Sequence, residues 1–221
     1  MDQTRAYYDA RASEYEEAYT LGSGTASIRD PGVFTTEARI LASIVAQHVG
    51  GRVIDVACGT GFWLPAYADR CSHVTLFDQS GKMLDECRKK VERLGLTGRS
   101  ALLQGDVFEQ PFTPGSYDYA LVGFLLSHLT EPQEAHVFAA LKSMLAADGR
   151  FLILESAWTP ERATVNRKTE RQERRLNDGT RFEIYKRYFD EEDVREWGRR
   201  YQVSLEIEHF GAAFVAVSGR V

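Results

Sequence analysis

The chain has 221 residues, 43% of them hydrophobic and 27% charged. That is a globular balance, which excludes a disordered reading and suits one large domain with a modest insert. Lysine and arginine number 27 against 32 aspartates and glutamates, a net charge of −5, so the chain as a whole is a poor ligand for nucleic-acid backbones. No apolar run is long enough to cross a bilayer, and residues 2–5 are polar with no apolar signal region behind them. The three cysteines (Cys58, Cys71 and Cys87) lack metal-ligand spacing. The expectation is a cytoplasmic protein, monomer or homodimer, with no nucleic-acid or membrane partner and no metal.

Residues 1–49 read as two helices around a loop. The first half holds Tyr7, Tyr8, Tyr15 and Tyr19, the loop at 22–32 has three glycines and a proline, and the second helix covers 36–49. Short buried strands follow at 52–56, 73–77, 100–104, 117–122 and 151–154. Between them lie helices at 62–70, 81–94 and 131–147, with Ser80 as an N-cap and Gly149 as a stop signal. Strands and helices in this alternation predict βαβ units and a parallel sheet. Residues 160–187 break the rhythm with nine basic and five acidic side chains, and Asp178-Gly179 marks a hairpin turn within them. A helix at 190–200 and strands at 202–208 and 212–217 close the chain. The short link through Phe210 and Gly211 requires the last two strands to be antiparallel. The predicted fold is α/β: a Rossmann-like, doubly wound, seven-stranded sheet, mostly parallel with an antiparallel last strand. An N-terminal helical lid (1–35) and an insert after the fifth strand (157–189) complete a single domain, 1–221.

The most informative stretch is Val53-Ile-Asp-Val-Ala-Cys-Gly-Thr-Gly. A buried strand carrying Asp55 runs into a glycine turn that opens a helix, where Gly59 and Gly61 allow close approach of a ligand to the main chain. The next strand ends at Asp78, placed to take both hydroxyls of a ribose, and the third is followed by Asp106. Three carboxylates at three strand ends describe one ligand site. A dinucleotide fingerprint needs a third glycine where Leu64 stands, and Asp55 would repel a pyrophosphate. A cationic or zwitterionic ligand fits better.

On these residues the chain resembles the class I S-adenosylmethionine-dependent methyltransferases. Asp55-Val-Ala-Cys-Gly-Thr-Gly is similar to their motif I, with Ala57 where many members carry glycine. The resemblance continues through Asp78-Gln-Ser-Gly-Lys-Met-Leu, Gln104-Gly-Asp-Val, Tyr117-Asp-Tyr and Gly149-Arg-Phe-Leu-Ile, covering about residues 36–156. It implies S-adenosylmethionine as cofactor, leaving as S-adenosylhomocysteine after methyl transfer. Its methionine part would lie on the turn formed by Ala57, Cys58, Gly59 and Gly61, with Asp55 facing its amino group through water. Asp78 would take the ribose, Gln79 and Met83 would flank ribose and adenine, and Asp106 and the Val107 N–H would face the adenine. Gly123 and Phe124 would complete the cofactor side. Tyr15 and Tyr19 would reach the cofactor carboxylate from the lid.

The acceptor side is expected from Phe124 and His128 after the fourth strand, from Glu155 and Trp158 after the fifth, and from Tyr185, Tyr188 and Phe189 after the hairpin. His128, Tyr185 and Tyr188 are the catalytic candidates, His128 because its ordinary pKa is near neutrality. Gly123-Phe-Leu-Leu stands where methyltransferases of nucleobase or amide nitrogens carry an Asn/Asp-Pro-Pro motif, and there is no Pro-Cys pair for cytosine chemistry. A small-molecule acceptor remains, and the basic insert would suit an anionic one. Three alternatives stay open: another use of S-adenosylmethionine, such as intramolecular cyclisation releasing methylthioadenosine; an NAD(P)-dependent oxidoreductase; and a binding module that senses the cofactor without chemistry.

Overall fold

Unbroken apolar runs build the centre of the sheet, because a parallel strand covered by helices is buried on both faces. The computed structural model describes residues 3–20 and 32–221. In chain order the elements are α1 (Gln3–Arg11), α2 (Glu17–Thr20), α3 (Gly32–His48), β1 (Gly51–Val56), α4 (Leu64–Tyr67), β2 (Cys71–Asp78), α5 (Gly81–Arg93), β3 (Ser100–Gln104), β4 (Tyr117–Gly123), α6 (Glu131–Met144), β5 (Leu145–Ser156), β6 (Thr169–Arg175), β7 (Arg181–Arg187), α7 (Glu191–Tyr201), β8 (Ser204–Phe210) and β9 (Phe214–Arg220). Apart from Gly32, which opens α3, the expected glycine loop lies outside the described residues.

The seven-stranded sheet has the order β3-β2-β1-β4-β5-β9-β8. β3, β2, β1, β4 and β5 pair in parallel, and β9 enters antiparallel between β5 and β8. The mostly parallel, seven-stranded expectation therefore holds, including the antiparallel final pair. Alternation sorts the strand residues into two cores. Val53, Leu121 and Leu152 face α3, α4 and α5 with Leu41, Val45 and Tyr67, whereas Ile54, Val122 and Ile153 face α6 and α7 with Phe138, Leu141 and Trp197. Ser80 caps α5 by accepting from the Met83 N–H at 3.1 Å, as its position predicts.

Several boundaries differ from the sequence reading, most of all around α4, α6 and β5. The helix expected at 62–70 is one α turn, α4, continued by a 3₁₀ turn at Ala68–Arg70. Pro65 accounts for the late start, since it suits only the first turn of a helix. α6 stops at Met144, before Gly149, and β5 begins at Leu145, well ahead of the expected 151. A Cβ on Gly149 would sit 2.8 Å from the Ala146 carbonyl oxygen, so glycine is needed for a tight bend within β5 rather than for the helix stop.

The basic insert is a separate two-stranded antiparallel sheet, β6–β7, turning through Gly179 at φ +89°. α1 lies against this hairpin: Tyr7 packs with Leu176 and Ile184, and its ring meets Phe182 edge-on at 5.6 Å. Among the described residues no helix is long and apolar enough to cross a membrane.

Candidate active site

A cavity of about 190 Å³ opens at the carboxyl ends of β1, β2 and β4, where the sheet order reverses. Its floor is the turn after β1. Ala57, Gly59 and Gly61 all have positive φ (57°, 55° and 70°), so the backbone curls away from the strand. Ala57 therefore takes the conformation that glycine would hold without strain. The turn is tied to β2 by the Cys58 N–H, which donates to the Phe77 carbonyl at 3.0 Å, and by the Gly59 N–H, which donates to Asp78 Oδ2 at 2.8 Å.

Asp78 is the most firmly held carboxylate of the cavity lining. Its other oxygen, Oδ1, accepts from the Ser80 N–H at 2.8 Å, which leaves acceptor capacity on both oxygens facing the cavity. Burial pushes its pKa up to about 6, against the backbone donors that pull it down. Asp106 lines the same cavity and is oriented by the Phe108 N–H at 2.9 Å. Tyr15, Gln79, Met83, Val107, Gly123 and Phe124 complete the lining predicted from sequence. Tyr15 lies over the glycine turn: a Cβ on Gly59 would come within 3.6 Å of its ring, filling the space between them.

Four residues predicted for the cofactor side do not line this cavity. Asp55 is buried behind the turn, accepts from the Tyr67 hydroxyl at 2.7 Å and is pushed by burial up to about 7. Cys58 is buried within the turn, and Gly61 packs against α5, where a Cβ would meet Cys87 Sγ at 2.7 Å. Tyr19 stacks on Phe62 at 4.6 Å and bonds the Tyr15 hydroxyl at 3.2 Å, so it supports Tyr15 from behind.

A second, smaller cavity of about 70 Å³ lies between α1, the hairpin and the ends of β4 and β5. It shares Tyr8, Tyr15, Phe124 and His128 with the first. His128 is set by two contacts: Nδ1 lies 2.8 Å from the Tyr185 backbone carbonyl and Nε2 lies 2.7 Å from the Tyr8 hydroxyl. A carbonyl only accepts, so Nδ1 carries the proton, and Tyr8 donates to Nε2. Burial, aided by the charge of Lys186, pushes the imidazole down to about 3, and it is neutral at pH 7.

The remaining acceptor-side candidates fall in different places. Tyr188 lines the second cavity, with its hydroxyl 2.9 Å from Gln172 Nε2 and Arg162 stacked over its ring at 4.4 Å. Tyr185 contributes its backbone carbonyl to His128, and its side chain lines neither cavity. Glu155 is fully buried and accepts from the Ser127 and Ser156 N–H groups. Trp158 lies beside Tyr188, and Phe189 packs on Trp197 in the core. Sequence reasoning did not single out Arg162, Arg174 or Lys186, all of which line the second cavity together with Tyr8 and Arg11. The excess charge of the insert was the only signal pointing to them.

A sheet of this order, with a ligand crevice over the β1 turn and a carboxylate at the end of β2, is the class I S-adenosylmethionine-dependent methyltransferase fold. Residues 53–149 match the family described as a methyltransferase domain. Over 91 residues the chain is 42% identical to the phosphatidylethanolamine N-methyltransferase of Cereibacter sphaeroides, a match covering 40% of this chain and 44% of the relative. Over 111 residues it is 32% identical to a demethylmenaquinone methyltransferase of Bacillus cereus, covering 49% and 46%. The matches thus span less than half the length of these curated relatives. Among solved structures, a DhpI–SAM–HEP complex superposes with a TM-score of 0.77 at 21% identity, covering 100% of this chain and 97% of that one. The Burkholderia thailandensis 1,6-didemethyltoxoflavin-N1-methyltransferase, bound to 1,6-didemethyltoxoflavin and S-adenosylhomocysteine, superposes at 0.62 and 19%, covering 97% and 88%.

Proposed function

We propose that this protein transfers a methyl group from S-adenosylmethionine to an O, N or C atom of a small-molecule acceptor. The observation that carries this reading is the pair of cavities meeting at Tyr8, Tyr15, Phe124 and His128. A two-substrate displacement needs such an arrangement, with the two ligands entering separate spaces and their reacting atoms meeting at a common wall. The demethylmenaquinone and didemethyltoxoflavin methyltransferases are relatives that fit a low-molecular-weight acceptor.

The residues present suit the cofactor. Asp78 would hold the ribose hydroxyls with its remaining lone pairs, Asp106 would accept from the adenine amino group, and the Gly59 turn would carry the amino-acid part beneath Tyr15. When bound, S-adenosylmethionine supplies a methyl group already activated by its sulfonium. The chain's task is to align the acceptor and exclude water. Tyr15, Phe124 and Tyr8 form an aromatic wall that keeps water from the junction. His128 holds the Tyr8 hydroxyl in place; with its imidazole pushed down to about 3 it is too weak a base for the role its ordinary pKa suggested, and it acts by orienting Tyr8. Tyr188 positions Arg162 on the acceptor side. α1 lines both cavities, and the hairpin covers the second one alone.

Calorimetric titration with S-adenosylhomocysteine, followed by a metabolite screen read by enzyme-coupled detection of that product, tests the proposal. Saturable binding with acceptor-dependent release of S-adenosylhomocysteine is expected. Release of methylthioadenosine instead identifies cyclisation, and absence of S-adenosylhomocysteine binding overturns the reading.

A further inference from the structure

Four cationic side chains converge on the second cavity from three parts of the chain: Arg11 from α1, Arg162 from the segment before the hairpin, and Arg174 and Lys186 from the hairpin strands. Three of them are at least nine-tenths buried, with Arg11 8%, Arg162 2% and Lys186 7% exposed. Buried charge is costly unless it is compensated, so its partners decide what the cavity is for.

Two carboxylates lie near enough to act on this set. Glu155 faces Lys186, whose ammonium is held by the hydroxyls of Ser127 at 2.8 Å and Ser156 at 3.0 Å. Glu37 acts on Arg162, which donates to the Ala213 carbonyl at 2.9 Å. Both carboxylates are already committed to backbone N–H groups, Glu155 to Ser127 and Ser156, Glu37 to Ala212, Ala213 and Phe214. Arg11 and Arg174 have no such counter-charge among the described residues. Arg11 donates to the Tyr7 hydroxyl and lies over the Tyr7 and Tyr15 rings, and Arg174 donates to the Gln172 side-chain oxygen. The cavity therefore has two guanidinium groups matched only by neutral partners, beside two compensated cations.

We propose that the acceptor carries an oxyanion, carboxylate or phosphoryl, and that Arg11, Arg174 and Lys186 hold it in the second cavity. This rests on the methyltransferase reading, which it makes more specific. A planar guanidinium presents paired donors that match the oxygens of either group, and such charge-assisted bonds are strong where water is excluded. The space is small: at ~10–15 Å³ for each water-sized position, about 70 Å³ holds roughly five, enough for a compact anion and little else. The anion would stand beside Tyr8 and His128, at the junction with the cofactor cavity. Burial pushes the Lys186 pKa down to about 7, and a negative group beside it favours the charged form.

The test titrates inorganic phosphate and, separately, acetate into the full chain saturated with S-adenosylhomocysteine, in low-salt zwitterionic buffer. At least one probe is expected to bind saturably with a Kd below ~1 mM. Phosphate alone assigns a phosphoryl acceptor, and acetate alone a carboxylate. Arg174→Gln, on the half-buried face of the hairpin, should weaken that binding about tenfold or more while S-adenosylhomocysteine affinity stays within about twofold. Lys186→Met, which keeps the alkyl stem, should do the same, with thermal melts verifying that each variant is folded. No saturable binding of either anion to protein that does bind S-adenosylhomocysteine overturns the proposal alone, as does binding that both substitutions leave unchanged. Failure to bind S-adenosylhomocysteine overturns the methyltransferase reading and this proposal with it.

Discussion

The Tyr8 hydroxyl donates to Nε2 of His128 across 2.7 Å, joining residues 120 positions apart at the wall between the two cavities. Because Nδ1 is engaged by the Tyr185 carbonyl and burial depresses the pKa to about 3, the ring stays neutral over the physiological range. Ring nitrogen NMR shifts should show the Nδ1–H tautomer with no titration between pH 5 and 8. Between the folded value of about 3 and the ordinary 6.5, the unfolded chain binds the extra proton, so the His128 contribution to stability rises with pH across that window. Tyr8→Phe leaves Nε2 without its donor and should cost about 1–3 kcal/mol in denaturant unfolding, while raising the imidazole pKa.

Asp78→Ala should weaken S-adenosylhomocysteine binding about 10–100-fold by calorimetry, through loss of a charge-assisted contact of ~1.5–3 kcal/mol. Asp106→Ala should weaken it less, since it removes one contact to a neutral amino group. In the unsubstituted protein, affinity should fall as pH drops through about 6, where Asp78 takes up a proton. Unchanged affinity in a folded Asp78→Ala protein removes Asp78 from the site.

Stability of the free protein carries the opposite sign from these carboxyls. Asp55 and Asp78 titrate at about 7 and about 6 in the fold, against an ordinary 3.8. The unfolded chain releases their protons first, so their contribution is fully present below about pH 4 and is lost as pH rises through 6 to 7. Melting temperatures measured across pH 4–7 should show a shallower decline in Asp55→Asn than in the unsubstituted chain.

Gly61→Ala should destabilise the chain by about 1–3 kcal/mol. Its φ of +70° disfavours any side chain, and the new methyl would sit 2.7 Å from Cys87 Sγ within a packed core. Because the same turn carries Gly59, S-adenosylhomocysteine affinity should fall as well. Chemical denaturation and calorimetry on one preparation separate the two effects.

The N-terminal segment is clasped to the nucleotide side by Glu16, which accepts from the Thr60 hydroxyl at 2.6 Å and pairs with Lys90, and by Asp9, which accepts from the Ser80 hydroxyl at 2.5 Å. Removal of residues 1–22 should leave the sheet folded while costing most of the cofactor affinity and nearly all turnover. Amides of residues 5–19 should gain hydrogen-exchange protection when S-adenosylhomocysteine is added. A truncated chain that binds and turns over like the full one reduces the segment to packing.

The sheet, its helices and the ligand crevice were legible in the sequence because their causes are local. Val53-Ile-Asp-Val is a doubly buried strand by composition, Gly59 and Gly61 announce a turn of positive φ, and Asp78 and Asp106 fall at strand ends by counting. Which of these residues line the cavity was less legible. Asp55 and Cys58 belong to the same motif as Gly59 yet are buried in the core, since side chains around a turn diverge, and Gly61 packs its backbone against Cys87.

The second cavity was decided by tertiary structure. Tyr7 and Tyr8 are neighbours on one helix, and only the docking of α1 on the hairpin sends Tyr7 into a packed cluster and Tyr8 to His128. Likewise, alternation along β7 places Ile184 and Lys186 on the cavity side and Tyr185 away from it, and the hairpin's position brings Lys186 beside Ser127 and Ser156. Composition shows that residues 160–187 are basic but not which of the nine cations turn inward. That choice depends on strand register and on contacts made across more than a hundred residues of chain, where burial selects among side chains that are equivalent in sequence.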